Sequence, residues 1–436
     1  MKLYLAYKKQ YKHRQHLGIL VVTCAIILLP FAFSCAQTVS ELQAQIDAHN
    51  KTIMDLESKN QEIQKQLNNL GDQEDSLSAA LKQLDLSRQK IASDISITEN
   101  KIEEKNLEIK ELSSQIGVKQ NSISQNTDAI SSEIRKTNEL EQGSFIESIF
   151  SDQKISDMWN DINDMATIRD QIRGQNIELT KTKTQLEDTK KATSDAKQQL
   201  VDLKSQLSDQ EKIIEQNTSQ KKKLLSQTKN SEALYQKTLK ANLVKKKAFE
   251  AELQSYEDKL KFTLDPSKLP SQGVLSWPLT DIYVTQFFGK TEDGKRLYAN
   301  GTHNGVDFRA RTPLPIFAMA DGVVAGTGDT DVQCPKVSFG RFVLIKYDDG
   351  LASTFGHLSL IKVSAGQRVS RGEIVGYTGS TGYATGPHLH VSVYARDAVN
   401  LQTLPSKSCP GHVLTQPISA INAYLDPMYY LPPYKK

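Results

Sequence analysis

Five side chains that can bind a metal ion or move a proton lie in one short part of this 436-residue chain: His303, Asp307, His357, His388 and His390. They occur in the segments H-N-G-V-D, F-G-H-L and G-P-H-L-H, and they include four of the chain's eight histidines. A catalytic zinc ion takes three protein ligands from such groups and keeps one position open. The two remaining side chains are then available for proton transfer and for stabilising an oxyanion. The sequence therefore predicts a zinc-dependent catalytic site.

The segments that carry these residues are predicted to be β-strands. G-V-D-F, R-F-V-L-I-K-Y and H-L-H-V-S-V-Y are rich in β-branched and aromatic residues and are bounded by Gly, Asn, Asp or Pro. Side chains alternate between the two faces of a strand, so His303 and Asp307 point the same way, as do His388 and His390. His357 follows the strand L-A-S-T-F and can turn in from its rim. One face of a sheet is therefore expected to bring the five residues together.

Longer segments around these residues carry a family resemblance. T-H-N-G-V-D-F-R-A, P-I-F-A-M-A-D-G-V-V, F-G-H-L-S and G-E-I-V-G-Y-T-G-S-T-G-Y-A-T-G-P-H-L-H resemble the lysostaphin/LytM-type zinc metallopeptidases, which cut peptidoglycan peptides. The resemblance implies one zinc ion held by three ligands and a catalytic pair beside it. The implied ligands are His303, Asp307 and His390, and the implied pair is His357 and His388. The resemblance also implies a mostly antiparallel all-β domain, similar to the duplicated hybrid motif, with a narrow groove across its sheet.

The amino terminus has the features of an export segment. Lysines and Arg14 precede the apolar run L-G-I-L-V-V-T-C-A-I-I-L-L-P-F-A-F, and small residues stand at Ser34 and Ala36. This order predicts a secretory signal removed before Gln37 and a protein located outside the cell, in the cell wall or in the periplasm. One alternative is a retained membrane anchor, because the run approaches the ~20 residues of a spanning helix. Lipidation at Cys35 is a further alternative that the residues around it disfavour.

A long helical arm is predicted to follow. From 39 to 262 the chain contains no proline and is rich in Gln, Lys, Glu, Ser and Leu. Apolar residues recur at alternating gaps of three and four, which is typical of a coiled-coil seam. His49 and Asn60 stand at seam positions, where polar residues specify register. Two helices of about 100 residues would form an antiparallel hairpin on the order of 150 Å long. The first part of the seam is Val39, Leu42, Ile46, His49, Ile53, Leu56, Asn60, Ile63, Leu67 and Leu70.

The two predicted helices are joined by an apolar segment at the tip of the arm. This cluster either packs back on the coiled coil or offers a docking surface to a partner. An exported hairpin of this kind joined to a LytM-type domain is similar to the EnvC and PcsB-like murein hydrolases of cell division. That similarity implies a partner, a membrane complex of the FtsEX type, that contacts the coiled coil. The apolar residues of the tip are Phe145, Ile149, Phe150, Ile155, Met158, Trp159, Ile162 and Met165.

Cysteine usage and charge complete the prediction. Cys334 and Cys409 lie outside the export segment, and an even number of cysteines in an oxidising compartment predicts that they form a disulfide. Zinc binding by their thiolates is the alternative, but the His/Asp set already fills a site. The formal net charge of +3 argues against a nucleic-acid partner.

The predicted organisation is a signal or anchor at 1–36, helix one at 37–142, a tip at 143–167, helix two at 168–262, a linker at 263–273 and a peptidase domain at 274–436.

These features favour a zinc endopeptidase that hydrolyses peptidoglycan peptides during wall remodelling or cell division. The alternative is a non-catalytic LytM-like activator of a separate murein amidase. Activators of that kind typically lack part of the metal-binding set, whereas this chain keeps all five residues. We also expect regulation, because an exported wall hydrolase that is always active would endanger its own cell. In this hypothesis the coiled coil blocks the groove until a membrane partner moves it.

Overall fold

The computed structural model describes residues 39–69, 76–142, 155–290, 301–384 and 386–434. The predicted export segment (1–36) lies outside these residues, as does the part of the predicted tip at 143–154. Within the described ranges, no helix combines the length and the apolar character that crossing a membrane requires. The long helices are α1 (Val39–Asn69), α2 (Leu77–Gln142), α3 (Ile155–Thr228) and α4 (Glu232–Glu257).

The structure differs from the single helix predicted for residues 37–142. α1 and α2 are separate helices, and α1 pairs with α2 instead of continuing into it. The sequence between them contains Gly71, which has poor helix propensity. It also contains three acidic residues, which interrupt the apolar seam. His49 Nδ1 lies 2.8 Å from Asn100 Oδ1, and Asn60 Nδ2 donates to Asp94 Oδ1 at 2.5 Å. Both polar seam residues therefore contact the neighbouring helix.

The second predicted helix is also divided. α3 ends at Thr228, and α4 begins at Glu232 after Lys229 and Asn230, whose φ angles of 49° and 57° are left-handed. α2 and α3 lie antiparallel, because Asn217 and Lys221 contact residues near the start of α2. At 1.5 Å per residue, the 66 residues of α2 span about 99 Å. The arm is therefore shorter than expected, and coiled-coil packing within it stays a prediction.

The described part of the carboxyl-terminal domain contains fifteen strands and several short helices, and every strand pair in it is antiparallel. This agrees with the predicted antiparallel β class, while similarity to the duplicated hybrid motif stays a prediction. The strands are β1 (Val284–Gln286), β2 (Gly289–Lys290), β3 (Thr302–His303), β4 (Val306–Arg309), β5 (Pro315–Phe317), β6 (Gly322–Asp329), β7 (Arg341–Tyr347), β8 (Leu351–Gly356), β9 (Leu360–Ile361), β10 (Arg368–Val369), β11 (Ile374–Tyr377), β12 (His388–Ala395), β13 (Asn400–Pro405), β14 (Val413–Ile418) and β15 (Tyr424–Leu425). The short helices are α5 (Thr330–Gln333), α6 (Pro427–Tyr430) and three 3₁₀ turns, Pro266–Lys268, Arg396–Ala398 and Ile421–Ala423.

The main sheet has the order β1-β4-β12-β8-β7-β6-β10, with β15 beside β12. One face packs on the main apolar core, which includes Phe308, Phe355 and Val391. The opposite face of β12 carries His388 and His390, because alternate residues of a strand share a face. The hairpin of β13 and β14 packs on that second face. Both faces are thus covered, which explains why nearly every residue of β7 and β8 is buried.

The helical arm packs directly on the β domain. Gln83 Nε2 donates to the carbonyl of Arg311 at 2.5 Å, and Lys362 Nζ pairs with Asp209 at 2.8 Å. Tyr377 OH also donates to Asp209, at 3.3 Å. Side chains of α2 and α3 therefore contact the domain at places far from the linker. The arm and the domain are joined by tertiary contacts as well as by the chain itself.

A disulfide joins Cys334, at the end of α5, to Cys409, in the loop between β13 and β14. The two Cα atoms are 6.3 Å apart, and 75 positions separate the residues in the sequence. The predicted cysteine pairing is confirmed. The bond therefore ties the loop between β13 and β14 to the end of α5.

Candidate functional site

Strand register brings the predicted metal ligands together. β4 and β12 pair so that Asp307 lies opposite His390. His303 lies on β3, which pairs with β2. Gly305, between the two elements, is required by close packing, because a Cβ atom there would lie 2.5 Å from the Val391 carbonyl and 2.7 Å from the His390 ring. The motif H-N-G-V-D therefore contains two of the predicted ligands and the glycine that lets them approach the third.

The three predicted ligands form one buried cluster. The distance from His303 Nε2 to His390 Nδ1 is 3.1 Å, and Asp307 Oδ1 lies 3.3 Å from the first atom and 2.9 Å from the second. Ligand atoms bound to one tetrahedral zinc ion lie roughly 3.3 Å from one another. His303, Asp307 and His390 also form the one group of three metal-ligating residues found within the described ranges. Their separations match those of a zinc site.

Hydrogen bonds outside the cluster support the same interpretation. His303 Nδ1 donates to the carbonyl of Phe287 at 3.1 Å, so in the neutral ring Nε2 presents its lone pair to the cluster. His390 Nε2 contacts Ser392 Oγ at 2.8 Å, which leaves Nδ1 facing Asp307. Metal-binding histidines typically use their second ring nitrogen in this way. The donor set therefore fits a zinc ion.

His357 and His388 lie beside this cluster. Their ring centroids are 4.6 Å apart, and His388 Nε2 is 3.8 Å from Asp307 Oδ1. Each ring donates from Nδ1 to a backbone carbonyl, that of Thr381 or Gly386, at 2.8 Å. In the neutral form each Nε2 can therefore accept a proton. His357 follows β8 with a φ of 64°, so a left-handed backbone turns its ring in from the end of the strand.

Burial and charge set the protonation of the cluster. Burial by itself raises the pKa of Asp307, but His303 and His388 more than offset this and hold it well below 3.8. Burial lowers the pKa of His390 to about 4. Burial, with a smaller contribution from His388, also lowers the pKa of His357 well below its ordinary value. Near neutral pH the site thus contains the Asp307 carboxylate and neutral imidazoles at His357 and His390, which are the forms that bind zinc and accept protons.

Residues 301–401 match the family model of Peptidase family M23. This part of the chain is a Peptidase family M23 domain. It is similar to Peptidoglycan DD-endopeptidase ShyA of Vibrio cholerae, with 38% identity over 94 residues, 22% of this chain and 20% of that protein. It is also similar to Cell division protein DipM of Caulobacter vibrioides, with 34% identity over 119 residues, 27% of this chain and 18% of that protein. The chain thus spans about a fifth of the length of these relatives.

A solved structure was also matched. The catalytic domain of the antimicrobial peptidase lysostaphin from Staphylococcus simulans aligns with 25% identity and a TM-score of 0.25. The alignment covers 34% of this chain and 90% of that domain.

Helix α4 borders the candidate metal cluster of the carboxyl-terminal β domain, which is called the M23 domain below after the family match at residues 301–401. One cavity is lined by Glu250, Leu253 and Glu257 of α4 and also by His303 and His390. The helix is thus close enough to the candidate ligands to share their cavity. The remaining lining residues are Gln254, Thr302, Asn304, Phe339, Tyr383, Ser392 and Tyr424.

Sequence reasoning missed two further residues at this site. Tyr383 packs edge-on against His357, with ring centroids 5.3 Å apart, and the Nζ atom of Lys246 on α4 lies 4.5 Å above the Tyr383 ring. Tyr383 could have been suspected, because it stands in the same T-G-Y-A-T-G-P-H-L-H segment as His388. Lys246 gave no such signal, since it is one of many lysines in the arm. Its burial at 4% exposure is a property of tertiary packing alone.

Proposed function

We propose that this protein is a zinc-dependent endopeptidase that hydrolyses peptide bonds in peptidoglycan. The observation that carries the proposal is the convergence of His303, Asp307 and His390 within hydrogen-bonding distance of one another. The match to Peptidase family M23 supports a peptidase. The similarity to a protein named as a peptidoglycan endopeptidase supports the substrate class.

His303, Asp307 and His390 would hold the zinc ion. Bound there, the ion would supply a Lewis acid that polarises the scissile carbonyl and lowers the pKa of a water molecule. The Asp307 carboxylate offsets part of the positive charge. The hydrogen bond from His303 Nδ1 to Phe287 keeps the second nitrogen of that ring directed at the site.

His357 and His388 would handle protons and the oxyanion. The neutral His357 ring, held by its hydrogen bond to Thr381, presents Nε2 to accept a proton from the attacking water. The same nitrogen can then return that proton to the leaving amine. His388 is held in the same way by the carbonyl of Gly386, and once its Nε2 has taken up a proton this nitrogen would donate a hydrogen bond to the developing oxyanion. Proton transfer and oxyanion stabilisation are thus assigned to two neighbouring rings, whose centroids are 4.6 Å apart.

The complete set of five residues favours an enzyme over a non-catalytic activator of an amidase. An activator needs a binding surface but no converging metal ligands. The buried cluster and its outer hydrogen bonds would have no use in such a protein, and they cost folding free energy when they lack a metal. Catalysis accounts for their presence directly.

The decisive experiment compares His390→Ala with His412→Ala in the full-length protein. His412 is an exposed histidine outside the cluster, so it provides a matched control. We expect the His390 variant to lose both bound zinc, measured by elemental mass spectrometry, and clearing of purified peptidoglycan in a zymogram. The control should keep both. Clearing by the His390 variant would show that the metal assignment is wrong.

Regulation by the arm is part of this proposal. Helix α4 shares the cavity of the candidate ligands, which supports a state in which the arm limits access to the site. We propose that movement of the arm by a membrane partner, similar to the FtsEX complex, opens the groove. Residues 143–167 stay the proposed docking segment. Cross-linking from positions in this segment to membrane proteins of the producing cell would test the partner.

A further inference from the structure

Four hydrogen-bond donors of one short loop surround the carboxylate of Glu252 on α4. The docking loop (residues 405–409) donates from Lys407 N to Oε1 at 2.6 Å and from Ser408 N to Oε2 at 2.8 Å. The hydroxyls of Ser408 and Ser406 donate to Oε2 at 2.8 and 3.3 Å. Successive backbone N–H groups that point at one acid form an anion-binding nest, and their hydrogen bonds to a charged acceptor are strong.

The docking loop is held in this conformation by bonds that do not involve α4. Ser406 N donates to the carbonyl of His412 at 3.0 Å, and His412 N donates to the carbonyl of Cys409 at 3.1 Å. Cys409 N in turn donates to Ser406 Oγ at 3.1 Å. The disulfide to Cys334 then ties the loop to the end of α5. The donors are therefore arranged by the M23 domain itself.

The contacts on either side of Glu252 use the same face of α4. Phe249, three residues earlier, is 2% exposed and packs in a cluster with Cys334, Val337 and Leu414. Tyr256, four residues later, donates from its hydroxyl to the carbonyl of Pro405 at 2.8 Å. Residues three and four apart lie on one side of a helix. This side of α4 is thus the side that faces the docking loop.

A neighbouring side of the same helix carries the residues that share the cavity with the metal ligands. Glu250, Leu253 and Glu257 follow the spacing of three and four on that side. Because an α-helix is stiff over a few turns, the position of one side fixes the position of the other. Whatever holds Glu252 in place also holds the cavity-lining residues over His303 and His390.

We propose that the docking loop is a carboxylate receptor whose occupant is Glu252, and that its occupation latches α4 over the candidate zinc site. The proposal rests on the proposed function and specifies how that site is regulated. Release of Glu252 removes its carboxylate from the contact between α4 and the nest. The apolar packing of Phe249 must then hold the helix without the nest.

Hydrogen exchange of the full-length protein tests the latch without requiring activity. We compare the wild type with Glu252→Gln, which keeps the shape but removes the negative charge and replaces one acceptor with a donor. Asp258→Asn makes the same chemical change at an exposed position one residue beyond α4. In Glu252→Gln, the amides of residues 246–257 should exchange about tenfold faster or more. Those of β12 should be unchanged, and the control should match the wild type. Equal exchange in Glu252→Gln and the wild type would overturn the proposal.

Two further measurements separate the latch from the proposed function. Peptidoglycan hydrolysis by Glu252→Gln should rise together with the exchange of α4, and an unchanged rate despite faster exchange would overturn the regulatory role. If neither protein hydrolyses peptidoglycan, the proposed function fails, while the exchange data still decide whether the nest holds the helix. The double variant Cys334→Ser, Cys409→Ser should also exchange faster in α4. Unchanged exchange there would overturn the role of the disulfide in shaping the receptor.

Discussion

In the M23 domain, the pairing of neighbouring strands positions the polar side chains of the site. In the helical arm, the packing of α4 against the domain positions them. Asp307 and His390 face each other because β4 and β12 pair antiparallel in this register. The alternation of side chains along each strand determines the face on which each residue lies. Glu252 meets its partners 155 and 156 positions along the chain. Local sequence thus determines the chemistry, while long-range packing determines access to it.

The largest expected effect separates the two roles inside the M23 domain. We expect His357→Asn to keep zinc but to lower peptidoglycan hydrolysis by roughly 10²–10⁴-fold, the usual contribution of a positioned acid–base group. Asparagine tolerates the left-handed backbone at this position better than alanine, so folding is preserved. Zinc content and initial rates are measured in parallel, with His412→Asn as the control. A variant that lost zinc as well would place His357 among the ligands.

The next test compares the peptidase domain alone with the protein that includes the helical arm. The segment 273–436 lacks every cavity-lining residue of α4, so we expect it to hydrolyse peptidoglycan about tenfold faster or more than the segment 37–436. The expected reason is access, because α4 shares the cavity of His303 and His390. Circular dichroism checks that both proteins are folded. Equal rates from two folded proteins would mean that α4 covers the site without limiting it.

The sequence predicts the site better than it predicts the arm, and the reason is physical. H-x-H specifies that His388 and His390 share one face of β12, as alternation predicted. His303 and Asp307 lie on two separate strands instead of one, so this pair needed the turn at Gly305 as well. A heptad pattern indicates only which residues of a helix face another helix, and it did not indicate that Phe249 and Tyr256 contact the β domain. The break between α1 and α2 had a local signal in Gly71. The docking of Glu252 had none, because its receptor is formed by a disulfide-bonded loop far along the chain.

A smaller effect concerns the pH dependence of the contact between α4 and the M23 domain. Burial raises the pKa of Glu257 from 4.5 to about 7, and Tyr424 OH donates to its Oε1 at 2.6 Å. The folded protein therefore binds one more proton than the unfolded chain between these values. Stability from this group is full below pH 4.5 and falls as the pH rises to about 7, by about 3 kcal/mol in total.

Glu257→Gln tests this dependence, since glutamine keeps the shape without the charge. In protein treated with a chelator, the variant should show a flatter profile of unfolding free energy between pH 5 and 8, measured by urea denaturation. Glu211→Gln, the same chemical change at an exposed position of α3, should retain the wild-type profile. Parallel profiles for the wild type and Glu257→Gln would mean that Glu257 is ionised in the folded protein.

The smallest expected effect tests whether the buried polar residues of the arm stabilise it or specify the register of its helices. Asn60 is 9% exposed and donates to Asp94 across the contact between α1 and α2. A polar residue at a seam position typically specifies register at a cost in stability. We therefore expect Asn60→Leu to raise the unfolding free energy of the arm by about 1 kcal/mol. Gln61→Leu, at an exposed position one residue later, should change it little. A loss of stability in Asn60→Leu would instead make the hydrogen bond to Asp94 a net stabilising contact, and the arm would then use its buried polar residues as the M23 domain does.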